Sequence, residues 1–380
     1  MKKFLAMAIA LCMVFALCAV ASAEDSIKVG FIGPLSGSSA AVGQSNLRGV
    51  EMAVAEINAA GGVNGRQIEL ISYDDENDSS TAVAMANRLI DTDEVVAIIG
   101  STNSSVTLAA MTVTQDAGIP QITPNSSGAA ITNSGEKYII RVQLNDLKMA
   151  EACVNYAVDV CGFSKIALMY QDDDYGGGGE EVIVDVLKAK GMALVADEAF
   201  DPQSTDMGAQ LAKVKAADPD CLIMWCMYTP GAAIANQARA LGIDCQLMGG
   251  GGLTNAKLFE LGGQNVVGVI NTQPFLAGAD AINDFSATFI ENYTASHNGV
   301  APDSNVAMAY DCVYTLREGL QYALDTYGDL TGDHLMEGML AIKDLPLATG
   351  NMTVAPNGDV EREQMLLVRL NEDGTYSLAN

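Results

Sequence analysis

EVVAIIGSTNSS, residues 94–105, decides how the rest of the chain is read. Val95 to Ile99 form a short, unbroken apolar run closed by Gly100. A run so short and so uniformly apolar predicts a strand buried on both faces, the kind found in parallel sheets. Ser101 to Ser105 are small and polar. Such residues favour helix N-caps, so a helix is expected to start immediately after them. Strand, small polar loop and helix form the unit to look for elsewhere.

The unit recurs on both sides. Upstream, IKVGFIGPLSG (27–37) is a strand and turn, followed by a helical pattern through Val50, Val54 and Ile57 that stops at Gly61 and Gly62. IELISYDDEND (68–78) is a strand leaving into an acidic loop, and TAVAMANRLI (81–90) a helix. Downstream, IPQITPNSS (119–127) repeats the arrangement. The pattern then restarts. KIALMYQDDDYGGGG (165–179) is strand and loop, and EEVIVDVLKAKG (180–191) a helix. ALVADEAF (193–200), CLIMWCMY (221–228) and QLMGGGG (246–252) follow, with helical patterns between them. This predicts two α/β units, each a parallel sheet wrapped by helices and divided near Arg141 to Asp146. The chain leaves the second unit at VVGVINTQPF (266–275), and two more helical patterns cover 281–297 and 303–327. Asn357-Gly358 and Asp373-Gly374 then mark turns between alternating β segments.

A chain of 380 residues exceeds the usual limit of one hydrophobic core, which also favours two domains. Lys2 and Lys3, an apolar run from Phe4 to about Val20, and Ala21-Ser22-Ala23 read as a secretory signal (1–23) cleaved after Ala23. The formal net charge of −27 argues against nucleic acid, which needs a basic face to neutralise phosphate. Of eight cysteines, Cys12 and Cys18 lie in the signal. The other six permit disulfides in an exported protein, or buried thiols. His297 and His334 lie apart from each other and from any cysteine, and no metal site is expected.

The glycine runs do not signal a nucleotide. Neither Gly176–Gly179 nor Gly249–Gly252 is followed by the Lys-Ser/Thr of a phosphate-binding loop, and neither spells G-x-G-x-x-G. No cofactor is expected. GPLSGSSA (33–40) comes near a nucleophile elbow but does not match it, and the two histidines are placed away from the strand ends. No enzyme is expected.

The order of these segments resembles the leucine/isoleucine/valine-binding proteins that serve ABC importers. The pieces that carry the resemblance are IKVGFIGPLSGSSAAVG, GVEMAVAEINAAGGVNGRQIELISYDDENDSS, VVAIIGSTNSS, GIPQITPNSS, IALMYQDDDYG and NQARALGIDCQLMG. The resemblance implies a two-lobed, type I periplasmic binding protein that closes on a ligand by a hinge. Its lobes would be 24–144 with 275–352 and 145–274 with 353–380, joined near 143–146, 272–276 and 350–355. It also implies an extracytoplasmic monomer that hands its ligand to an ABC permease. A ligand-binding sensory protein, or a receptor for a non-amino-acid organic acid or amide, is the alternative.

Residue by residue, the resemblance makes Ser104 and Ser127 hydroxyl contacts, Asn125 a backbone contact, and Tyr175 and Tyr228 the rings that close over the ligand. The serines and the asparagine also suit helix caps. A helix starting after GSTNSS would aim free N–H groups and a positive dipole end at a carboxylate. Three positions depart from the family. Gly251 stands where relatives place a glutamate for the ligand's ammonium, Val42 where they have a tyrosine, and Asn305 near a phenylalanine. Asn77 and Asn103 replace a disulfide of that branch. Asn305 is expected to sit unpaired against an aliphatic ligand, disfavouring leucine, isoleucine and valine. An amide or a small carboxylic acid would fit, as would a polar amino acid if Asp146 or one of Asp172 to Asp174 supplied the missing acid. The Asp172–Asp174 run otherwise reads as a solvated loop.

Overall fold

The computed structural model describes residues 26–278, 282–362 and 365–379. The expected signal segment lies outside them.

The first series builds β1 (Ile27–Gly33), α1 (Ala40–Ala59), β2 (Ile68–Asp74), α2 (Ser79–Asp91), β3 (Ala97–Ile99), α3 (Ser104–Ala117), β4 (Gln121–Thr123), α4 (Ala130–Asn133) and β5 (Ile139–Arg141). The five strands form one parallel sheet in the order β2-β1-β3-β4-β5. The second series builds α5 (Asp146–Asn155), β6 (Ile166–Gln171), α6 (Asp174–Ala189), β7 (Ala196–Phe200), α7 (Gly208–Ala217), β8 (Cys221–Trp225), α8 (Tyr228–Ala240), β9 (Gln246–Gly249), α9 (Ala256–Gly262) and β10 (Ile270–Gln273). Its five strands run β7-β6-β8-β9-β10, the same winding again. The chain is therefore a two-lobed α/β protein.

After β10 come α10 (Asp284–Ser296), α11 (Ser304–Thr326) and α12 (Gly332–Leu340). Phe289, Val306 and Leu316 of the first two join Phe31, Ile99 and Ile122 in the first lobe's core. Then follow β11 (Leu345–Leu347), β12 (Gly350–Val354), β13 (Val360–Glu361), β14 (Leu366–Leu370) and β15 (Tyr376–Leu378). Val354 and Val360 still bury in the first core, whereas β14 pairs antiparallel with β10, and β15 with β14. The second sheet is therefore mixed, with two antiparallel edge strands.

The strand reading follows from burial on both sides. Ile98, Ile99, Ile122 and Ile223 are all fully buried. Several helices start at side-chain caps: Asp78 accepts from Thr81 N–H, Asn103 from Ser105 N–H and Asp173 from Gly176 N–H. Of the pattern predicted for α1, Val50, Val54 and Ile57 all face the core.

One stretch differs from its reading. Gly176–Gly179 is not a loop but the first turns of α6. A Cβ at Gly176 would collide with the Gln171 carbonyl, and one at Gly179 with the Trp225 indole. Close packing selects glycine here over its poor helix propensity.

Candidate functional site

In an open parallel sheet the crevice lies off the carboxyl ends of the strands, where the winding reverses. That point falls between β1 and β3 in the first lobe and between β6 and β8 in the second. The loops there face each other and enclose a narrow cavity. The first lobe contributes Val42 at the start of α1, Thr102 to Ser104 after β3, Asn125 and Ser127 after β4, Gln143 after β5, and Asn305 at the start of α11. The second contributes Met149, Tyr175, Met227, Gly251 and Gly252.

The lobes touch around this cavity. Asn103 Nδ2 donates to Asp173 Oδ2 at 3.3 Å, and Asp174 N–H to Ser105 Oγ at 3.1 Å. Thr229 Oγ1 donates to the Ser38 carbonyl at 2.7 Å. Asp172 and Asp174 are exposed, as expected, but the half-buried Asp173 between them caps α6, accepts from Gln171 and ties the lobes together. Asn103, within the stretch expected to cap the next helix, caps α3 on one side and makes that tie on the other.

Seven expected site residues line the cavity: Val42, Ser104, Asn125, Ser127, Tyr175, Gly251 and Asn305. Tyr228 stands apart from the lining. Its hydroxyl accepts from Ala41 N–H at 3.3 Å, an interlobe contact beside the cavity.

Ser104 opens α3. Its Oγ accepts from Gly128 N–H at 3.1 Å, which leaves its own hydroxyl proton to donate. Asn103 takes up the Ser105 amide, and the Ser104 amide has no acceptor among the described residues. The loop before it is clamped from behind: Ser101 donates its hydroxyl to Asp75, and Thr123 Oγ1 donates to the Ser101 carbonyl at 2.8 Å. Burial pushes the Asp75 carboxyl up to about 6, against the lowering effect of the Ser101 and Asn77 hydrogen bonds.

Asn305 is not unpaired, contrary to expectation. Asn46 Nδ2 donates to both Thr102 Oγ1 (3.0 Å) and Asn125 Oδ1 (2.6 Å). Asn125 Nδ2 donates to Asn305 Oδ1 at 2.8 Å, and Asn305 Nδ2 to the Thr254 carbonyl of the second lobe at 2.9 Å. The amides link in a chain that crosses the cleft, with Asn46 Oδ1 left without a partner at its start.

The Gly249–Gly252 run divides by position. A Cβ at Gly249 would strike the Met224 carbonyl, at Gly250 the Trp225 ring (2.9 Å), and at Gly252 the Cys226 carbonyl (2.6 Å). At Gly251 it would meet nothing closer than Gln143 Nε2 at 3.5 Å and Met149 Sδ at 3.7 Å. Three of the glycines are needed for close packing; Gly251 is not, and it lines the cavity together with Gly252.

Four features escaped the sequence reading. Gln143, Met149 and Met227 line the cavity. Arg141, fully buried, donates through Nη1 to the carbonyls of Ser127 (2.8 Å) and Gly128 (2.7 Å) and pairs with Asp359 at 2.9 Å. It fixes the direction of the loop that carries Ser127. Asp146, named above only as a substitute acid, lies fully buried behind Ser127 rather than in the lining. Burial pushes its carboxyl up to about 7, outweighing the pull of the Ser127 hydroxyl, Arg141 and the Trp225 indole. None of these closes a full hydrogen bond to either carboxylate oxygen, and the Trp225 indole N–H is itself without a partner. The six cysteines of the described residues are all free thiols. No group of three or more His, Cys, Asp and Glu among those residues could hold a metal ion.

Two lobes of like winding, in contact around a polar-lined cavity at both switch points, define a solute-binding protein. The periplasmic binding protein family model matches residues 26–375, and the chain belongs to that family. It is a binding protein, not an enzyme. The Leu/Ile/Val-binding protein of Escherichia coli (strain K12) is 31% identical over 263 residues, 69% of this chain and 71% of that one. The leucine-, isoleucine-, valine-, threonine-, and alanine-binding protein of Pseudomonas aeruginosa is 27% identical over 374 residues, 98% and 96% of the two chains. The branched-chain amino acid transporter substrate binding protein of Streptococcus pneumoniae, solved with isoleucine, is similar in structure with a TM-score of 0.85 at 27% identity. That match covers 94% of this chain and 99% of the other.

Proposed function

We propose that the chain is an extracytoplasmic receptor of an ABC importer, which captures an amino acid or a related small carboxylate or amide between its lobes. The observation that carries this reading is the cavity itself, walled by both lobes and sealed by hydrogen bonds between them. On this reading the signal segment is removed after Ala23, and the monomer presents its closed form to a permease. The lobes pivot where the chain passes between them: near 142–145, near 274–275, and beyond Val360, which still packs in the first core. Ser104, Ser127 and the Asn125 backbone hold the ligand from the first lobe, and Tyr175 covers it from the second.

The test is to purify the chain natively, identify the small molecule it carries by mass spectrometry, and titrate that molecule back. Ser104→Ala and Tyr175→Ala should each weaken binding by about 1–3 kcal/mol with the fold intact. Small-angle scattering should show a smaller radius in the bound state. Parent-like affinity in both variants, together with an unchanged scattering profile, would remove the site from this cleft.

A further inference from the structure

We propose that the solute is a 2-oxo carboxylic acid with a short apolar body rather than a 2-amino acid; this rests on the receptor reading above. The argument comes from the direction of the hydrogen-bonding groups in the wall. Ser104 Oγ already accepts from Gly128 N–H, so its hydroxyl proton faces a need for an acceptor. Tyr175 Oη accepts from Gly252 N–H at 3.2 Å, so its proton too is free to donate. Gln143 is 97% buried by its 3% exposure, and its Oε1 accepts from Leu144 N–H at 2.9 Å. That bond fixes which end of the amide is which. Gln143 Nε2 then makes no hydrogen bond among the described residues, and it stands 3.5 Å from the Cβ position of Gly251 at the cavity wall. The Ser104 backbone amide adds a further donor.

Three side-chain acceptors of the wall, by contrast, are engaged, although Asn46 Oδ1 behind them has no partner. Asn125 Oδ1 accepts from Asn46, Asn305 Oδ1 from Asn125, and Thr102 Oγ1 from Asn46. Among the described residues that line the cavity, none is Asp, Glu, Lys, Arg or His. A wall of free donors without an acid suits a solute rich in acceptors. A carboxylate can take the α3 N-terminus and the Ser104 hydroxyl. A second oxygen, on the neighbouring carbon, can take Gln143 Nε2. An ammonium at that point would face the Gln143 donor, with the Thr272 carbonyl, 3.7 Å from the Gly251 Cβ position, as the one acceptor near it. Val42, Met149 and Met227 receive the apolar remainder, with the methionines adapting to its shape.

The test compares 4-methyl-2-oxopentanoate with leucine by calorimetry on the purified full chain freed of its carried solute; the two differ only at the second carbon. The oxo acid should bind at least tenfold more tightly. Gln143→Glu replaces the free donor with an acceptor and should shift the ratio at least tenfold towards leucine, while Gln143→Ala should weaken the oxo acid alone. Unliganded melting curves report whether each variant folds. Tighter binding of leucine by the parent chain overturns the proposal, and loss of that binding in Asp146→Asn would identify Asp146 as the counter-charge instead. A ratio unmoved by Gln143→Glu also overturns it. Binding of neither compound overturns the oxo-acid assignment. In that case the receptor reading stands or falls separately, on whether a carried small molecule titrates back with closure of the lobes.

Discussion

Asp146→Asn should stabilise the ligand-free protein, and by an amount that grows with pH. The carboxyl is fully buried, neither oxygen closes a hydrogen bond, and burial moves its titration from 3.8 to about 7. Because the value in the fold lies above the unfolded one, the folded state holds the proton more tightly. Its stability is complete below about pH 4 and is lost as pH rises towards 7. The interval of about three pH units, at 1.36 kcal/mol each, corresponds to a loss of about 4 kcal/mol. An amide has the same shape, does not titrate, and can accept from the unpartnered Trp225 indole N–H. Urea unfolding of parent and variant should therefore give nearly equal stabilities at pH 4. The variant should lead by roughly 2 kcal/mol at pH 5 and roughly 4 kcal/mol at pH 7.5, where the curve levels. The background of net charge −27 is common to both proteins apart from this one group, so the difference isolates it. A variant curve parallel to the parent's across this range would refute the reasoning. So would a parent that gains on the variant as pH rises, since that is the behaviour of a carboxylate well paired in the fold.

The glycine run gives a second contrast. Gly251→Ala should melt within about 1 kcal/mol of the parent, whereas Gly249→Ala, which drives a methyl into the Met224 carbonyl, should lose about 1–3 kcal/mol or more in thermal or urea unfolding. Arg141→Met should cost about 3–5 kcal/mol, because it strands Asp359 and releases the Ser127 and Gly128 carbonyls; chemical denaturation checks this. A thiol reagent at pH 8 should label Cys161 and Cys245 first in the native protein, and mass spectrometry should find Cys153, Cys221, Cys226 and Cys312 protected until it unfolds. Those four are buried, with thiols pushed up by desolvation.

The strands were legible because parallel strands buried on both faces leave no room for polar residues. Ala97 to Ile99 and Cys221 to Trp225 show it directly. The start of α3 was legible because its cap is local: Asn103 serves the amide two residues on. Gly176–Gly179 was misread for the converse reason. Four glycines disfavour a helix locally, and two of them, Gly176 and Gly179, are required by the approach of Gln171 and Trp225, residues brought there by β6 and β8. Arg141 sits at the end of an ordinary strand and looks in sequence like an edge charge. Its role exists only once Ser127, Gly128 and Asp359 fold around it.

For the site, residue type was the wrong unit of reading. Asn305 looked like an amide set against an aliphatic solute, yet both its polar ends are spent on Asn125 and the Thr254 carbonyl. Gln143 attracted no notice, yet one end of its amide is left facing the cavity. An amide has a donor end and an acceptor end, and a hydroxyl can act as either. Which of these a solute meets depends on the neighbour that claims the other: Leu144 N–H for Gln143, Gly128 N–H for Ser104, Gly252 N–H for Tyr175. In each of these three residues a backbone amide claims the acceptor, and the donor is what remains. The absence of an acid among the residues that line the cavity and the donors around Gly251 therefore support the same proposal, oxygen over ammonium at that wall.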